Sequence, residues 1–544
     1  MKLNIQKIFA VTLIPLLLSA CSDNTESDKV KTIASDDKPI SNFVSVTGGT
    51  IRGNAREDGL IEYLGIPYAA PPIGDRRWQS PAPLAAWEGE HDSTSFGLPC
   101  YQPGSLSAFY DRTYEKMSED CLTLNVWTRA EQTSDALPVM VWIHGGALVM
   151  GSGMDYDGSP LTSKGVILVT INYRLGPFGF YAHPELSTEG KGHSGNQGYK
   201  DQIAALNWVQ ENIRQFGGDP NNVTIFGESA GSWSMSVMQA SPMARGLFDK
   251  IIGQSGARFA PLPDLKKARW GMPSAEKRGE TLASMFAQTD APDLDVLRTL
   301  SAESIIDAYA ADPALLFDFD SLTIVDGQVL PEEVNTIFDQ GRQADVPVMI
   351  GSNADEATTF DPAIGGTSPI DYVELHTQFV DLTLGGDKRK AFLLYPDTLE
   401  FARDSYIRFN TDANFTQPMR QWANYMDNVS SQVYLYWWNW RPVINGSDEY
   451  ASFHAAEIPY VFGDLAMFNI DVSEREEVFS ETMMTIWTNF AKTSNPSSKG
   501  IINWSAYAED KPMTAVLGAE IGLEEGVRSE QVRLITAGYD ARRD

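Results

Sequence analysis

Apolar runs of two different periods alternate along the chain, and they give its fold class. Pro138 to Ile143 (PVMVWI) is a continuous apolar run that ends in His144-Gly145-Gly146. Gly165 to Ile171 (GVILVTI) is another, ending in Asn172-Tyr173-Arg174. Neither alternates with polar residues, so each predicts a strand buried on both faces, as in a parallel sheet with helices on either side. Tyr199 to Phe216 has a different period. Ile203, Leu206, Val209, Ile213 and Phe216 recur at spacings of three and four, which makes one apolar helix face. Gly217-Gly218-Asp219-Pro220 stops that helix. Val223 to Phe226 (VTIF) predicts the next strand, and Val346 to Ile350 (VPVMI) and Val433 to Trp438 (VYLYWW) predict two more. The alternation predicts an α/β fold, a large and mostly parallel sheet flanked by helices.

The N-terminus breaks this pattern. Met1 to Lys7 is short and basic, and Ile8 to Leu18 is apolar but too short for a comfortable membrane span. Leu18-Ser19-Ala20-Cys21 resembles a bacterial lipobox, in which the cysteine is lipidated and becomes the mature N-terminus. The expectation is a signal peptide over residues 1–20, a lipid on Cys21, and contact with a membrane only through that lipid. Ser22 stands where an aspartate would favour inner-membrane retention, which points to the outer membrane, on its periplasmic or surface side. Residues 21–42 are polar with few large apolar side chains, and predict a disordered tether. From Phe43 onward the composition is globular, without linker, repeat or low-complexity stretch. One domain over residues 43–544 is expected.

The 544 residues are 43% apolar, ample for a buried core. Forty-two basic residues face 72 acidic ones, a net charge of −30. Nucleic acid is excluded as a partner, because phosphate neutralisation needs basic clusters. There are three cysteines. With Cys21 lipidated, Cys100 and Cys121 remain, and in an exported chain they are read as a disulfide. Closing a loop of that size stabilises a fold by about 3 kcal/mol.

The chemistry centres on Gly227-Glu228-Ser229-Ala230-Gly231, a Gly-x-Ser-x-Gly motif. A strand precedes it and Ala230 to Met235 can open a helix, which is the strand-turn-helix context the motif needs. A hydroxyl nucleophile needs a base, and the base needs an orienting carboxylate. Six histidines are present, and only His376 and His454 follow Ser229. His376 lies in ELHTQF with no turn signature. His454 follows the strand Val433 to Trp438 across a loop containing Asn445-Gly446-Ser447, which favours it as the base. For the acid, Asp355 and Glu356 follow the run Val346 to Ile350, and Asp326 is a third candidate, though Asp326-Gly327 reads as a turn. Alternation does not choose between Asp355 and Glu356. Backbone N–H groups after the strand in His144-Gly145-Gly146-Ala147, and that of Ala230, can supply an oxyanion hole.

Together these residues resemble the type-B carboxylesterase/lipase family, the cholinesterase-like branch of the α/β-hydrolases. The landmarks run in order from about residue 43 to about 510: GIPYAAPPIGDRRW (65–78), SEDCLTLNVW (118–127), VWIHGGA (141–147), NYRLGPFGF (172–180), the stretch from Gly195 to Gly231, NADEATTF (353–360) and HAAEIPYVFG (454–463). The resemblance implies Glu356 as the acid, His454 as the base, and Gly146, Ala147 and Ala230 as oxyanion donors. It also implies a Cys100–Cys121 disulfide, and a role for Ser255 in helping to hold the triad. Ala147-Leu148 stand where many members have Gly-Phe, and Ala357 and Ala455 stand where Gly is common. Phe109 and Tyr110 lie where cholinesterases carry a choline-stacking tryptophan, so a choline-specific enzyme is not implied.

The resulting expectation is a serine carboxylic ester hydrolase that uses a small-molecule ester and needs no cofactor or metal. The alternatives are a hydrolase of another acyl bond (amide, thioester or lactone), a lipase, with the loop between Cys100 and Cys121 as a lid, and a non-catalytic adhesion member. The last would typically lack the nucleophile. Nothing in the sequence gives an oligomeric state.

Overall fold

Period-two alternation within the apolar runs explains how one sheet is covered on both sides. The structure is a computed structural model that describes residues 37–104, 113–316, 318–363, 369–385 and 388–543. Its strands are β1 (Phe43–Val46), β2 (Gly49–Arg52), β3 (Asn54–Ala55), β4 (Ile61–Pro67), β5 (Glu90–Asp92), β6 (Thr123–Thr128) and β7 (Leu137–Ile143). They continue with β8 (Ile167–Ile171), β9 (Gly218–Glu228), β10 (Lys250–Gln254), β11 (Val348–Asn353), β12 (Val433–Trp438), β13 (Met513–Leu517) and β14 (Gly522–Glu525). A small sheet has the order β1-β2-β5, and the main sheet the order β14-β13-β12-β11-β10-β9-β7-β8-β6-β4-β3. From β13 to β8 every pairing is parallel, and antiparallel strands close both edges.

Each central strand feeds two cores. Val139, Val141 and Ile143 of β7 enter one apolar cluster, while Met140 and Trp142 enter the other. In β12, Val433 and Leu435 face the first, and Tyr434, Tyr436 and Trp438 the second. Both faces are apolar because both are covered, which is why the runs read as continuous.

The helix expected over 199–216 is an α-helix, Gln197–Asn212, tightening to a 3₁₀ turn, Ile213–Phe216. Its stripe of Ile203, Leu206, Val209, Ile213 and Phe216 lies in the first core. Gly217 ends it with φ +81°. Four of the five strands differ in bounds from the sequence reading: β7 begins one residue earlier, at Leu137, and β8 two residues later, at Ile167. VTIF is the middle of the longer β9, which runs directly into the Ser229 turn. The VPVMI strand begins at Val348, because Pro347 has no N–H to give the ladder.

Residues Lys38 to Asp544 make one compact unit. The Lys38 N–H donates to Thr133 Oγ1 at 3.1 Å and the Ile40 N–H to Glu131 O at 2.9 Å. Lys38 to Asn42, expected within the tether, are thus bonded to the body. The signal peptide, Cys21, the tether up to residue 36, Phe109 and Tyr110 lie outside the described residues. Among the described residues, no helix is long and apolar enough to cross a membrane. Cys100 and Cys121 are joined by a disulfide across 21 positions, and both are buried.

Candidate active site

The site forms where parallel strands end, the usual place for ligands in open α/β sheets. β9 delivers Ser229, β7 delivers His144 to Ala147, β11 delivers Glu356, and the loop after β12 delivers His454.

Ser229 occupies the turn between β9 and the helix Ala230–Ala240, at φ 56°, ψ −121°. This is a strained conformation for a non-glycine residue, costing about 1–3 kcal/mol. The turn is held because the Ser229 N–H donates to Gln254 O at 2.8 Å and the Trp233 N–H returns to Ser229 O at 2.9 Å. The flanking glycines have a steric reason. A Cβ on Gly227 would lie 2.6 Å from Ile143 O and 2.7 Å from the Gly231 carbonyl carbon. A Cβ on Gly231 would fall on Ile143 O itself. That oxygen is backbone at the end of β7 and cannot swing away. Gly231→Ala is therefore expected to destabilise the fold by about 3 kcal/mol or more. Thermal unfolding checks it, and an unchanged Tm contradicts the packing.

The oxyanion loop abuts this turn. A Cβ on Gly145 would sit 3.2 Å from Ser229 Cβ. Gly146, Ala147 and Leu148 all have positive φ (96°, 55° and 63°), which curls the loop back on itself. The Val149 and Met150 N–H groups donate to Gly146 O at 2.9 and 3.0 Å. Among the described residues, the N–H groups of Gly146 and Ala147 have no hydrogen-bond acceptor, which leaves them for an oxyanion. Ala230 N is the first amide of a helix, with no acceptor within it. Ala147 and Ala455 also take positive φ, 55° and 69°, which explains why glycine suits these positions. Ala357 does not need it.

His454 Nδ1 lies 2.6 Å from Glu356 Oε2. Glu356 is fully buried, and its Oε1 accepts the Asn353 N–H at 2.6 Å. The ambiguity between neighbouring carboxylates is thereby resolved: Glu356 meets the histidine. Asp355 turns the other way, where its Oδ2 accepts the Ser452 N–H at 3.3 Å and steadies the loop carrying His454. Asp326 makes the turn expected of it, with Oδ1 accepting from Gln328 N and Leu330 N. His376 is buried in the helix Tyr372–Leu384 with Nε2 3.0 Å from Tyr395 O, and is no part of the site. The rings of Phe415 and Phe360 stand 4.8 and 5.2 Å from the His454 ring and keep its surroundings apolar.

Two further buried carboxylates at the site were not singled out from the sequence. Glu228, inside the motif, brings Oε1 to 3.1 Å from His454 Nε2, a charge contact rather than an aligned hydrogen bond. Glu457, three residues beyond His454, is held by Gln254 Nε2 at 3.0 Å and Asn353 Nδ2 at 2.6 Å. The available signal was a glutamate adjoining each of the segments that carry Ser229 and His454. Burial favours the neutral imidazole, but the Glu228 carboxylate, the hydrogen bond to Glu356 and the Glu457 charge outweigh it. Together they raise the His454 pKa to about 9. Burial pushes Glu228 well above the usual carboxylate range, opposed by His454. Burial and Glu356 raise Glu457 as well.

The sequence reading gave Ser255 a part in holding the triad. Its hydroxyl is buried without a hydrogen-bond partner among the described residues. The residue instead contributes backbone: at φ 58°, its N–H donates to Gly351 O at 2.8 Å, tying the ends of β10 and β11. Among the described residues, no three or more His, Cys, Asp or Glu side chains gather as a metal site.

Comparison with known proteins agrees with this geometry. The family model described as "Carboxylesterase family" matches residues 40–535. A para-nitrobenzyl esterase of Bacillus subtilis (strain 168) is 36% identical over 90% of this chain and 97% of its own. A fumonisin B1 esterase of Sphingopyxis macrogoltabida is 33% identical over 86% of each chain. Among solved structures, a PNB esterase superposes with a TM-score of 0.77 at 35% identity, covering 91% of this chain and 99% of that one. Carboxylesterase EST55 of Geobacillus stearothermophilus does so with a TM-score of 0.79 at 30% identity, covering 91% of this chain and all of that one. With the α/β-hydrolase sheet and the Ser229 turn in place, the chain belongs to the carboxylesterase family and is a serine carboxylic ester hydrolase.

Proposed function

We propose that Ser229, His454 and Glu356 form the catalytic triad of a two-step acyl transfer. The observation that carries this reading is the 2.6 Å contact between His454 Nδ1 and Glu356 Oε2, made in a buried site beside the Ser229 turn. His454 Nε2 takes the Ser229 hydroxyl proton as Oγ bonds to the ester carbonyl carbon. The carbonyl π electrons move to oxygen, where the N–H groups of Gly146, Ala147 and Ala230 receive the charge. Glu356 stabilises the imidazolium. As the oxyanion collapses, the C–O bond to the alcohol breaks and His454 gives the alkoxide its proton. Water, deprotonated by His454, then attacks the acyl carbon; as the second oxyanion collapses, the bond to Ser229 Oγ breaks, His454 returns its proton to Oγ, and the acid leaves. No step calls for a cofactor.

Esters are the substrate class proposed, in preference to amides, thioesters or lipid interfaces. The test is turnover of short-chain p-nitrophenyl esters by the purified full chain, set against matched p-nitroanilides and a series of longer acyl chains. Ester kcat/KM is expected to exceed that for the amides. Faster amide turnover, or activity only above the solubility limit of long esters, overturns the assignment.

Because His454 acts as a base only when neutral, and its pKa is raised to about 9, kcat/KM is expected to climb through the alkaline range. Removing the Glu228 charge removes a force favouring the imidazolium. Glu228→Gln is thus expected to move the rising limb toward lower pH by about one pH unit. An unmoved limb contradicts a charged Glu228 acting on His454.

We also propose that the chain is exported and held on a bacterial outer membrane by a lipid on Cys21. The support is the sequence before it, a basic start, an apolar run and Leu18-Ser19-Ala20-Cys21.

A further inference from the structure

Gly151 closes the oxyanion loop at φ 113°, a backbone conformation that favours glycine. Its backbone packs onto the residues that begin the loop. A Cβ placed on Gly151 would lie 2.9 Å from Gly145 O and would meet the His144 ring, and a Cβ on Gly146 would fall on Met150 O. Residues 145–146 and 150–151 therefore touch backbone to backbone, with no side chain between them to absorb a shift. Where Gly151 moves, the amides of Gly146 and Ala147 follow.

Gly151 belongs to no strand or helix, so its N–H and C=O need partners from elsewhere. Among the described residues, both come from one side chain. Gln102 Oε1 accepts the Gly151 N–H at 2.6 Å, and Gln102 Nε2 donates to Gly151 O at 3.0 Å. Nε2 also donates to Cys100 O at 3.0 Å. The Gln102 amide thus pairs with Gly151 as a peptide group would, offering an acceptor and a donor side by side. It is buried, and it has a fixed base: Cys100 is joined to Cys121, two residues before β6. The start of the oxyanion loop is held by Tyr173, whose hydroxyl donates to His144 O at 2.9 Å. Its middle is held by the Gly176 N–H, which donates to Leu148 O at 2.8 Å. Neither of these bonds reaches Gly151.

We propose that Gln102 is a positioning residue for ester hydrolysis, one that sets the Gly146 and Ala147 N–H groups where the oxyanion develops, given the triad and oxyanion roles proposed above. Its amide is used on Cys100 and Gly151, so it acts through the loop. Without it, Ser229, His454 and Glu356 stay in place while the loop samples positions that take its amides off the oxyanion. A misplacement of about 1 Å costs roughly a hundredfold in rate, and outright loss of one donor about 10²–10³-fold.

The test is Gln102→Met in the full chain, a side chain of similar length without the amide. For a p-nitrophenyl ester, kcat should fall on the order of 10–100-fold with KM within about threefold of the parent. An alkyl trifluoromethyl ketone reads the oxyanion hole itself. Ser229 Oγ adds to its carbonyl carbon, the π electrons move to oxygen, and the hydroxyl proton passes to His454, with no group expelled. Its inhibition constant should rise by the factor by which kcat falls. The alcohol of the same skeleton, which forms no oxyanion, should inhibit both proteins equally. The rising limb of the pH profile should not move, because His454 and Glu356 are untouched. In Gln102→Glu the buried carboxyl is held neutral, keeping an acceptor for the Gly151 N–H and one donor, so its loss should be smaller than that of Gln102→Met. Parental kcat in Gln102→Met overturns the proposal, and so does equal weakening of ketone and alcohol, which would mean a general loosening of the pocket. If thermal unfolding shows that Gln102→Met does not fold, Gln102→Glu decides by the same criterion: the ketone alone must weaken. Ser229→Ala separates the two levels. If it hydrolyses the ester as fast as the parent, the triad reading falls and this role with it; if it is inactive, the outcomes above bear on Gln102 alone.

Discussion

Ser229→Ala is expected to lower kcat for a p-nitrophenyl ester by about 10⁵–10⁶-fold, with KM changed far less. The loss is large because the hydroxyl forms the bond and nothing else at the turn can. Ala230 and Gly231 follow it into a helix, and Glu228 points at His454. The oxyanion amides and the binding surface remain, so a residual rate above water should persist. The backbone at position 229 is held by the hydrogen bond to Gln254 O and by the Trp233 N–H, neither of which uses the side chain. Thermal unfolding should therefore shift by less than the equivalent of about 1 kcal/mol. Steady-state kinetics beside a melting curve read both quantities. An activity loss that tracks a fall in Tm would mean the serine is structural.

Glu356→Gln and Asp355→Asn, neighbouring and chemically alike, are expected to behave very differently. Glu356 has two obligations: Oε1 accepts the Asn353 N–H and Oε2 meets His454 Nδ1. A glutamine has one acceptor oxygen. If that oxygen stays with Asn353, the amide NH₂ faces Nδ1. The imidazole must then carry its proton on Nε2, where it cannot accept one from Ser229. If the amide flips, two N–H groups confront each other at Asn353. Either way, kcat should fall by about 10³–10⁴-fold. Asp355 accepts the Ser452 N–H, which an asparagine oxygen does as well, and its other partner is the exposed Arg441 at 3.8 Å, a pair worth little, so Asp355→Asn should stay within about tenfold of the parent. Kinetics of the two variants side by side check this. Comparable losses would contradict the assignment of the acid.

The same pair marks the limit of what the sequence made legible. Strands buried on both faces announce themselves by composition, and the run Val433 to Trp438 is β12 to the residue. The nucleophile was legible because its turn leaves no room for a Cβ at Gly227 or Gly231, which fixes a local motif. The base was legible by chain order, with only two histidines beyond Ser229. The acid was not, because adjacent residues in a loop point in directions set by contacts with Ser452 and Asn353, about a hundred positions and three positions away. Family resemblance supplied what periodicity could not. Glu228 and Glu457 escaped for a related reason: a buried carboxylate looks like any surface glutamate until the fold brings it beside an imidazole. Ser255 shows the converse. A residue matched by pattern has its hydroxyl unpaired, and it serves through its backbone.

Ser229 as the nucleophile is tested most directly by finding where an acyl-like adduct sits. The full chain is treated with a stoichiometric amount of a fluorophosphonate ester, digested, and sequenced by mass spectrometry, with esterase activity followed in parallel. Attack by Ser229 Oγ on phosphorus expels fluoride and leaves a stable phosphonyl-serine. One adduct is expected, on Ser229, with activity lost in proportion to labelling and neither labelling nor activity in Ser229→Ala. An adduct elsewhere, or ester hydrolysis that continues with Ser229 fully labelled, would contradict it.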